Sequence, residues 1–115
     1  MALNDTILNI GNAAMQAVIT HAQIHTAQPN ASGSNEATSG RQAITWVTAA
    51  NGDLVATVDL LFTGGAASGA ATHIGFWSAS SAGTFYGWQV LTGDQTFNAA
   101  GEYTVTGITI TGTAT

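Results

Sequence analysis

Three histidines are the side chains whose types and spacing first suggest chemistry. His21 and His25 are four residues apart, a spacing that places two imidazoles on one helix face and is used to bind zinc, with His73 available as a third ligand. However, the helical pattern ends before His25, and residues four apart on a strand are too distant to share one metal without bending. We therefore interpret the histidines as structural, and predict neither a metal nor a cofactor.

Acid–base and nucleophilic chemistry find little support in the sequence. Asp59 lies among apolar neighbours and would suit acid–base catalysis if it were buried, but the alternation of its segment places it on the polar side. There is no GxSxG motif for a nucleophilic serine, and no lysine to complete a phosphate-binding loop. We predict no catalytic residues and no enzymatic activity, which leaves a small hydrolase as the least supported class.

Aromatic residues are concentrated in two neighbouring segments, Phe76-Trp77 and residues 85–88. Strict alternation along a strand puts Phe85 and Gly87 on one face and Tyr86 and Trp88 on the other. One face is expected to fill the core, as aromatic side chains usually do. Tyr86 and Trp88 are then candidates for a subunit contact or for stacking on a sugar ring.

Glu36 and Arg41 flank a short loop rich in serine and glycine, and Arg41 is the single cationic Lys or Arg of the chain. A guanidinium group matches a carboxylate in charge and in hydrogen-bonding geometry. We predict that the two residues form a structural ion pair that fastens the loop of residues 28–40 to the strand after it.

The composition limits the classes of partner. Charged residues make up only 6% of the 115 residues and the net charge is −5, which disfavours binding to nucleic acid or to an anionic membrane. The chain has no cysteine, and we expect no signal peptide and no transmembrane segment. A surface this poor in charge tends to associate, so we expect part of it to be covered by other subunits.

The N-terminal segment has the pattern of an amphipathic helix. Asn4 and Asp5 can cap its start, and Gly11 weakens it by about 1 kcal/mol. Apolar residues recur at spacings of three and four, namely Leu3, Ile7, Ile10, Ala14 and Val18. We predict a helix over about residues 5–19, and a docking and oligomerisation unit over residues 1–20. Its predicted interface residues are Leu3, Ile7, Ile10 and Met15.

From His21 onward the hydrophobic period changes to two, which is typical of strands. Asn51-Gly52 is a hairpin signal, and the segment from Leu54 to Phe62 alternates between apolar and other residues. Short strands separated by turns every eight to twelve residues are typical of a sandwich. The sequence predicts a mainly β fold: a small antiparallel β-sandwich, jelly-roll-like with six to eight strands, over residues 21–115, with one N-terminal α-helix.

Four pieces of the sequence, in this order, resemble a family of small tailed-bacteriophage virion structural proteins: HAQIHTAQP, SNEATSGRQAITW, ATHIGFWSASSAGTFYGW and QTFNAAGEYTVTG. The resemblance covers residues 13–110. It departs at Ala22-Gln23, where the family more often has Ile-Gly, and in a shorter NEATSGRQ stretch. Members are tail fibre or minor tail proteins, and similar small domains are capsid decoration proteins. The resemblance implies a β-sandwich, a role in virion architecture and no catalytic residues.

Composition and resemblance together predict a non-enzymatic bacteriophage virion structural protein that assembles as a homo-oligomer, a trimer by analogy. As a capsid decoration or minor capsid protein it would contact the major capsid protein, and as a minor tail or tail fibre component it would contact tail proteins. We expect it to be made in the host bacterial cytoplasm and to reside in the virion. The alternative is a carbohydrate- or host-surface-binding module that uses Tyr86 or Trp88 as a stacking platform.

Overall fold

A helix, α1, begins the part of the chain described by the computed structural model, which covers residues 4–47, 52–56 and 59–111. α1 spans Asp5–Val18, close to the predicted bounds. The Asn4 side chain accepts a hydrogen bond from the Ile7 N–H at 3.1 Å, and Asp5 adds a negative charge to the first turn, so both stabilise the helix start. Within the described segments, no helix is long and apolar enough to cross a membrane.

Eight strands follow α1. In chain order they are β1 (His21–His25), β2 (Gln42–Ala43), β3 (Asp53–Ala56), β4 (Leu60–Phe62), β5 (His73–Trp77), β6 (Phe85–Val90), β7 (Tyr103–Val105) and β8 (Ile108–Thr111). The predicted Asn51-Gly52 turn lies partly outside the described residues, as does the middle of the alternation from Leu54 to Phe62.

One layer is an antiparallel four-stranded sheet in the order β2-β1-β5-β6. Its central pair is β1 with β5, in which Ile24 lies opposite Ile74 and His25 lies opposite His73. Both strands are buried over four of their five residues, so both of their faces are covered. The pairing of β5 with β6 shifts register between Phe76 and Trp77, a β-bulge that decides which aromatic residues share a face.

The second layer consists of two antiparallel ribbons, β3 with β8 and β4 with β7. Leu54 pairs with Ile110 in one ribbon and Leu61 with Thr104 in the other, so residues 53–56 run against residues 108–111 and residues 60–62 against residues 103–105.

The hydrophobic core lies between the two layers. Ile24, Ile74 and Phe76 contribute from the four-stranded sheet, and Phe62 and Ile108 from the ribbons. The expectation of a mainly β fold with antiparallel sheets and one N-terminal helix is confirmed. The jelly-roll connectivity and the division into units 1–20 and 21–115 stay predictions.

Candidate functional site

The face of the four-stranded sheet that points away from the core carries a second buried group, His25, Trp77 and Phe85, called here the aromatic cluster. His25 has no exposed surface, and Trp77 is only 5% exposed. The His25 and Trp77 rings are parallel within 5° with centres 6.2 Å apart, and the Trp77 and Phe85 centres are 5.0 Å apart. The cluster is therefore a small second core on the outer face of the sheet.

Residues 26–40, called here the cover loop, bury the aromatic cluster. The Ala37 N–H donates to the Ile24 carbonyl and ties the loop to β1, and the Thr26 N–H donates to the Asn35 carbonyl within the loop, each at 2.9 Å. A Cβ added to Gly33 would lie 2.5 Å from Trp77 ring carbons, and its φ of +80° already favours glycine. Gly33 therefore lets the loop backbone lie directly on the rings.

Arg41 connects the cover loop to the turn between β5 and β6. Its Nε donates to Glu36 Oε1 at 2.8 Å, and its Nη1 donates to the carbonyls of Ala79 and Ala82 at 2.9 and 2.8 Å. The guanidinium carbon lies 3.7 Å from the centroid of the Trp77 ring, within cation–π range. The Arg41 side chain is only 7% exposed, so these contacts are shielded from solvent. The geometry brings the predicted pair together, while its role as a fastener stays a prediction.

Hydrogen bonds assign the tautomer of neutral His25. The Trp77 Nε1–H donates to His25 Nε2 at 3.4 Å, so neutral His25 carries its proton on Nδ1 and donates it to the Ser34 carbonyl at 2.8 Å. Burial lowers the pKa of His25 below its usual 6.5, because the charged imidazolium is poorly solvated there. The Ser34 carbonyl and Glu36 oppose this shift of the pKa, and Arg41 and His73 add to it.

The histidines are engaged separately rather than converging on one point. The Nδ1 atoms of His21 and His73 lie 2.8 and 2.7 Å from the hydroxyls of Thr20 and Thr72, whereas His25 bonds to the cover loop. The part of the chain that the structure describes holds no group of three His, Asp or Glu residues arranged for a metal ion. Asp59, considered above for acid–base chemistry, is exposed.

The side of α1 that faces the β-domain is held largely by amide side chains. Asn12 Nδ2 donates to the Gly52 carbonyl at 2.8 Å, Asn9 Oδ1 accepts from the Gly52 N–H at 2.9 Å, and Gln16 Nε2 donates to the Val47 carbonyl at 2.5 Å. Asn12 is the buried residue of the helix, and Leu8 and Met15 are half-buried beside it. This side of the helix is thus attached by polar contacts together with a modest apolar one.

The opposite side of α1 is exposed and apolar. Ile7 is 46% and Ile10 61% exposed, and Val18 and Ala14 are exposed as well. We call these four residues the outward stripe. Among the predicted interface residues, Met15 differs because it packs against the core of its own chain, about a quarter turn from the middle of the stripe. Leu3 lies outside the described residues.

Tyr86 and Trp88 are both substantially exposed, at 47% and 37%. The predicted strict alternation of residues 85–88 is wrong, because the bulge pairs Phe85 with Trp77 but Gly87 with Phe76. Directly paired residues share a face, so Phe85 and Gly87 lie on opposite faces and Trp88 joins the face of the aromatic cluster. There the Trp88 ring packs against His73 in a T-shaped arrangement with centres 5.1 Å apart.

Sequence reasoning missed the central position of His25, the contact of Gly33 with the rings and the amide attachment of α1. The amides carried a readable signal, since Asn9, Asn12 and Gln16 recur at spacings of three and four and so form one polar stripe on the helix. No local pattern marks His25 or Gly33, because their partners lie on strands distant in sequence.

Comparison with known proteins identifies one family for this chain. A family model described as Podophage GP4 fiber I protein gp80 matches residues 2–113, which is nearly the whole chain. No curated protein sequence matches the chain.

Proposed function

Since this chain belongs to the podophage fibre I protein family, we propose that it is a non-enzymatic structural component of a phage fibre that assembles as a homo-oligomer through α1. The observation that carries the proposal is the outward stripe, in which Ile7 and Ile10 are exposed although the helix is already attached through its other side. Large aliphatic side chains exposed in a row on one helix face are typical of a surface covered by a partner.

The spacing of the stripe supports a second copy of α1 as that partner. Within the stripe, Ile7, Ile10 and Ala14 follow one another at intervals of three and four residues, and Leu3 continues this spacing in the sequence. These intervals are the a and d positions of a heptad repeat, with Ile7 at a and Ile10 at d. Isoleucine at both positions favours three or more strands over two, so we propose a trimer.

Charge and side-chain size also support self-association. Asp5 is the sole ionisable residue of α1, so copies placed side by side do not repel one another along the stripe. Ala14 and Gly11 allow neighbouring helices to approach closely. The 14 residues of α1 make only two heptads, so we expect association to be weak in dilute solution and to strengthen with concentration.

The family description names a fibre, which favours a tail fibre or minor tail placement, with tail proteins as partners. A capsid decoration placement on the major capsid protein is the less supported alternative. The two differ in copy number, few per particle for a fibre and hundreds for a decoration protein. A stained gel of purified virions, calibrated against the major capsid protein, distinguishes them.

The test of assembly is the oligomeric state of the full chain, measured by light scattering after size-exclusion chromatography over a range of protein concentrations. We expect a trimer for the wild type and a monomer with an unchanged circular dichroism spectrum for Ile7→Ser/Ile10→Ser. Leu61→Ser is the matched control, because Leu61 on β4 is an equally exposed apolar residue outside α1. A wild type that stays monomeric at the highest concentration, or a double variant that stays trimeric, contradicts the proposal.

A further inference from the structure

A shallow groove of about 280 Å³ lies between the cover loop and β6, apart from the outward stripe of α1. Pro29, Asn30 and Ala31 form one wall, and residues 85–88 form the other wall and the floor. Small-molecule clefts in proteins begin at roughly 300 Å³, so this volume suits a ligand of small size.

The floor of the groove offers flat aromatic surface that is already in place. Tyr86 and Trp88 both line the groove and are both substantially exposed. The T-shaped contact with His73 holds the Trp88 indole, so its ring is fixed before any ligand arrives.

The opposite wall supplies a hydrogen-bond donor that is also held in place. Asn30 Oδ1 accepts from the backbone N–H groups of Ser32 and Ser34 at 2.9 and 3.3 Å, which fixes the orientation of the amide. Among the described residues, its Nδ2 makes no hydrogen bond, and the Asn30 side chain is exposed. An amide NH₂ held at the edge of an aromatic surface can donate to a hydroxyl of a ligand that lies on that surface.

The lining of the groove is uncharged, which favours a neutral ligand. None of its lining residues carries a charge at neutral pH, and the chain as a whole has a net charge of −5. An anionic ligand would meet no cation there and would be repelled by the protein as a whole. A ligand that suits the groove is neutral, has one apolar flat side and has hydroxyl groups at its edge.

We infer that this groove binds a neutral pyranose sugar, which stacks on Trp88 or Tyr86 and accepts a hydrogen bond from the Asn30 amide. The inference is independent of the assembly proposed above, since the groove and the outward stripe share no residue. It assigns to the chain a binding site for the neutral part of a surface glycan.

The experiment is a glycan array with neutral and acidic oligosaccharides, probed with the labelled full chain, followed by titration of the neutral hits using intrinsic tryptophan fluorescence. We expect binding to neutral glycans, and a loss of affinity of about tenfold or more in Trp88→Ala. Trp88→Phe keeps a stacking ring and should retain most of the binding. Asn30→Asp keeps the acceptor that orders the loop but removes the donor, and should also weaken binding.

Val90→Ala is the matched control, because Val90 is exposed on the same strand but does not line the groove. Equal loss of affinity in Val90→Ala and Trp88→Ala, binding to acidic glycans alone, or no binding at millimolar neutral sugar would each overturn the inference. It is also overturned if Trp88→Ala dissociates the oligomer, because the groove is then a contact between subunits. The assembly proposal has its own test in the Ile7→Ser/Ile10→Ser variant, so the two can fail separately.

Discussion

The cover loop and α1 both lie against the β-sheets, but their contacts are distributed in opposite ways. Under the cover loop, polar and aromatic groups are buried and have partners within the chain: His25 with Ser34, and Arg41 with Glu36 and two backbone carbonyls. On α1, amides form much of the attachment to the domain, and the large aliphatic residues Ile7 and Ile10 face outward.

The two regions therefore have different roles, one in the stability of the single molecule and the other in assembly. Polar groups that have hydrogen-bond partners inside the chain stabilise the single molecule. Exposed apolar side chains contribute a stabilising free energy only when another molecule covers them. Changes in the first region should alter the free energy of unfolding, and changes in the outward stripe should alter assembly.

The largest effect is expected for Gly33→Ala. The substitution places a methyl group against Trp77 and Phe85 at a position with positive φ, so we expect the free energy of unfolding to fall by about 3 kcal/mol. Gly93→Ala is the control, because Gly93 has a similar φ of +77° but no heavy atom within 4 Å of an added Cβ. Its cost should be about 1 kcal/mol, the backbone part alone. Urea denaturation of both variants measures the difference, and equal losses would show that the rings do not restrict residue 33.

A smaller loss is expected for Arg41→Ala, about 2 kcal/mol, because three hydrogen bonds and the contact with Trp77 disappear together. Glu36→Gln should cost less than 1 kcal/mol, since Glu36 is about one-third exposed and an amide oxygen can still accept from Arg41. Thermal melts of Arg41→Ala, Arg41→Gln and Glu36→Gln give the ranking. Unchanged melting temperatures in both Arg41 variants would contradict the fastening role.

The smallest effect is a dependence of stability on pH. Because burial lowers the pKa of His25 in the folded protein, the unfolded chain binds more protons as the pH falls through 6.5. The contribution of His25 to the free energy of unfolding is therefore constant above pH 6.5 and declines below it, until the pH reaches the folded-state pKa. Urea denaturation at pH 7.5, 6.5 and 5.5 should show this decline in the wild type and in His21→Gln, and a weaker one in His25→Gln. A full decline in His25→Gln would assign the effect to other groups.

The sequence predicted the features that depend on neighbouring residues. The cap at Asn4, the helix and the stripe containing Ile7 and Ile10 follow from spacings within one or two turns. The approach of Glu36 to Arg41 needed only a short loop between them. The overall β character followed from the period-two pattern after His21 and from the turn residues between strands.

The features that the sequence did not reveal depend on packing between residues that are distant in the chain. β1 and β5 are covered on both faces, so alternation alone could not tell which of their residues point toward the core. The position of Trp88 depends on one bulge beside Phe76, and a shift of one residue reverses every side chain beyond it. Which side of α1 would meet the domain was also hidden, because an apolar stripe ordinarily faces the core and here it faces outward.

The hydrogen bond between Trp77 and His25 joins residues 52 positions apart in the chain. Closing so long a segment costs entropy before any contact is gained, so we expect the aromatic cluster to form late in folding. The backbone hydrogen bonds within α1 join residues four apart, so the helix itself can form without closing a long segment. Helices form in about a microsecond or less, so we expect α1 to be formed, with its outward stripe available to other copies, before the cover loop has closed over its sheet. The sequence separation of the contacts thereby sets which of the two regions forms first.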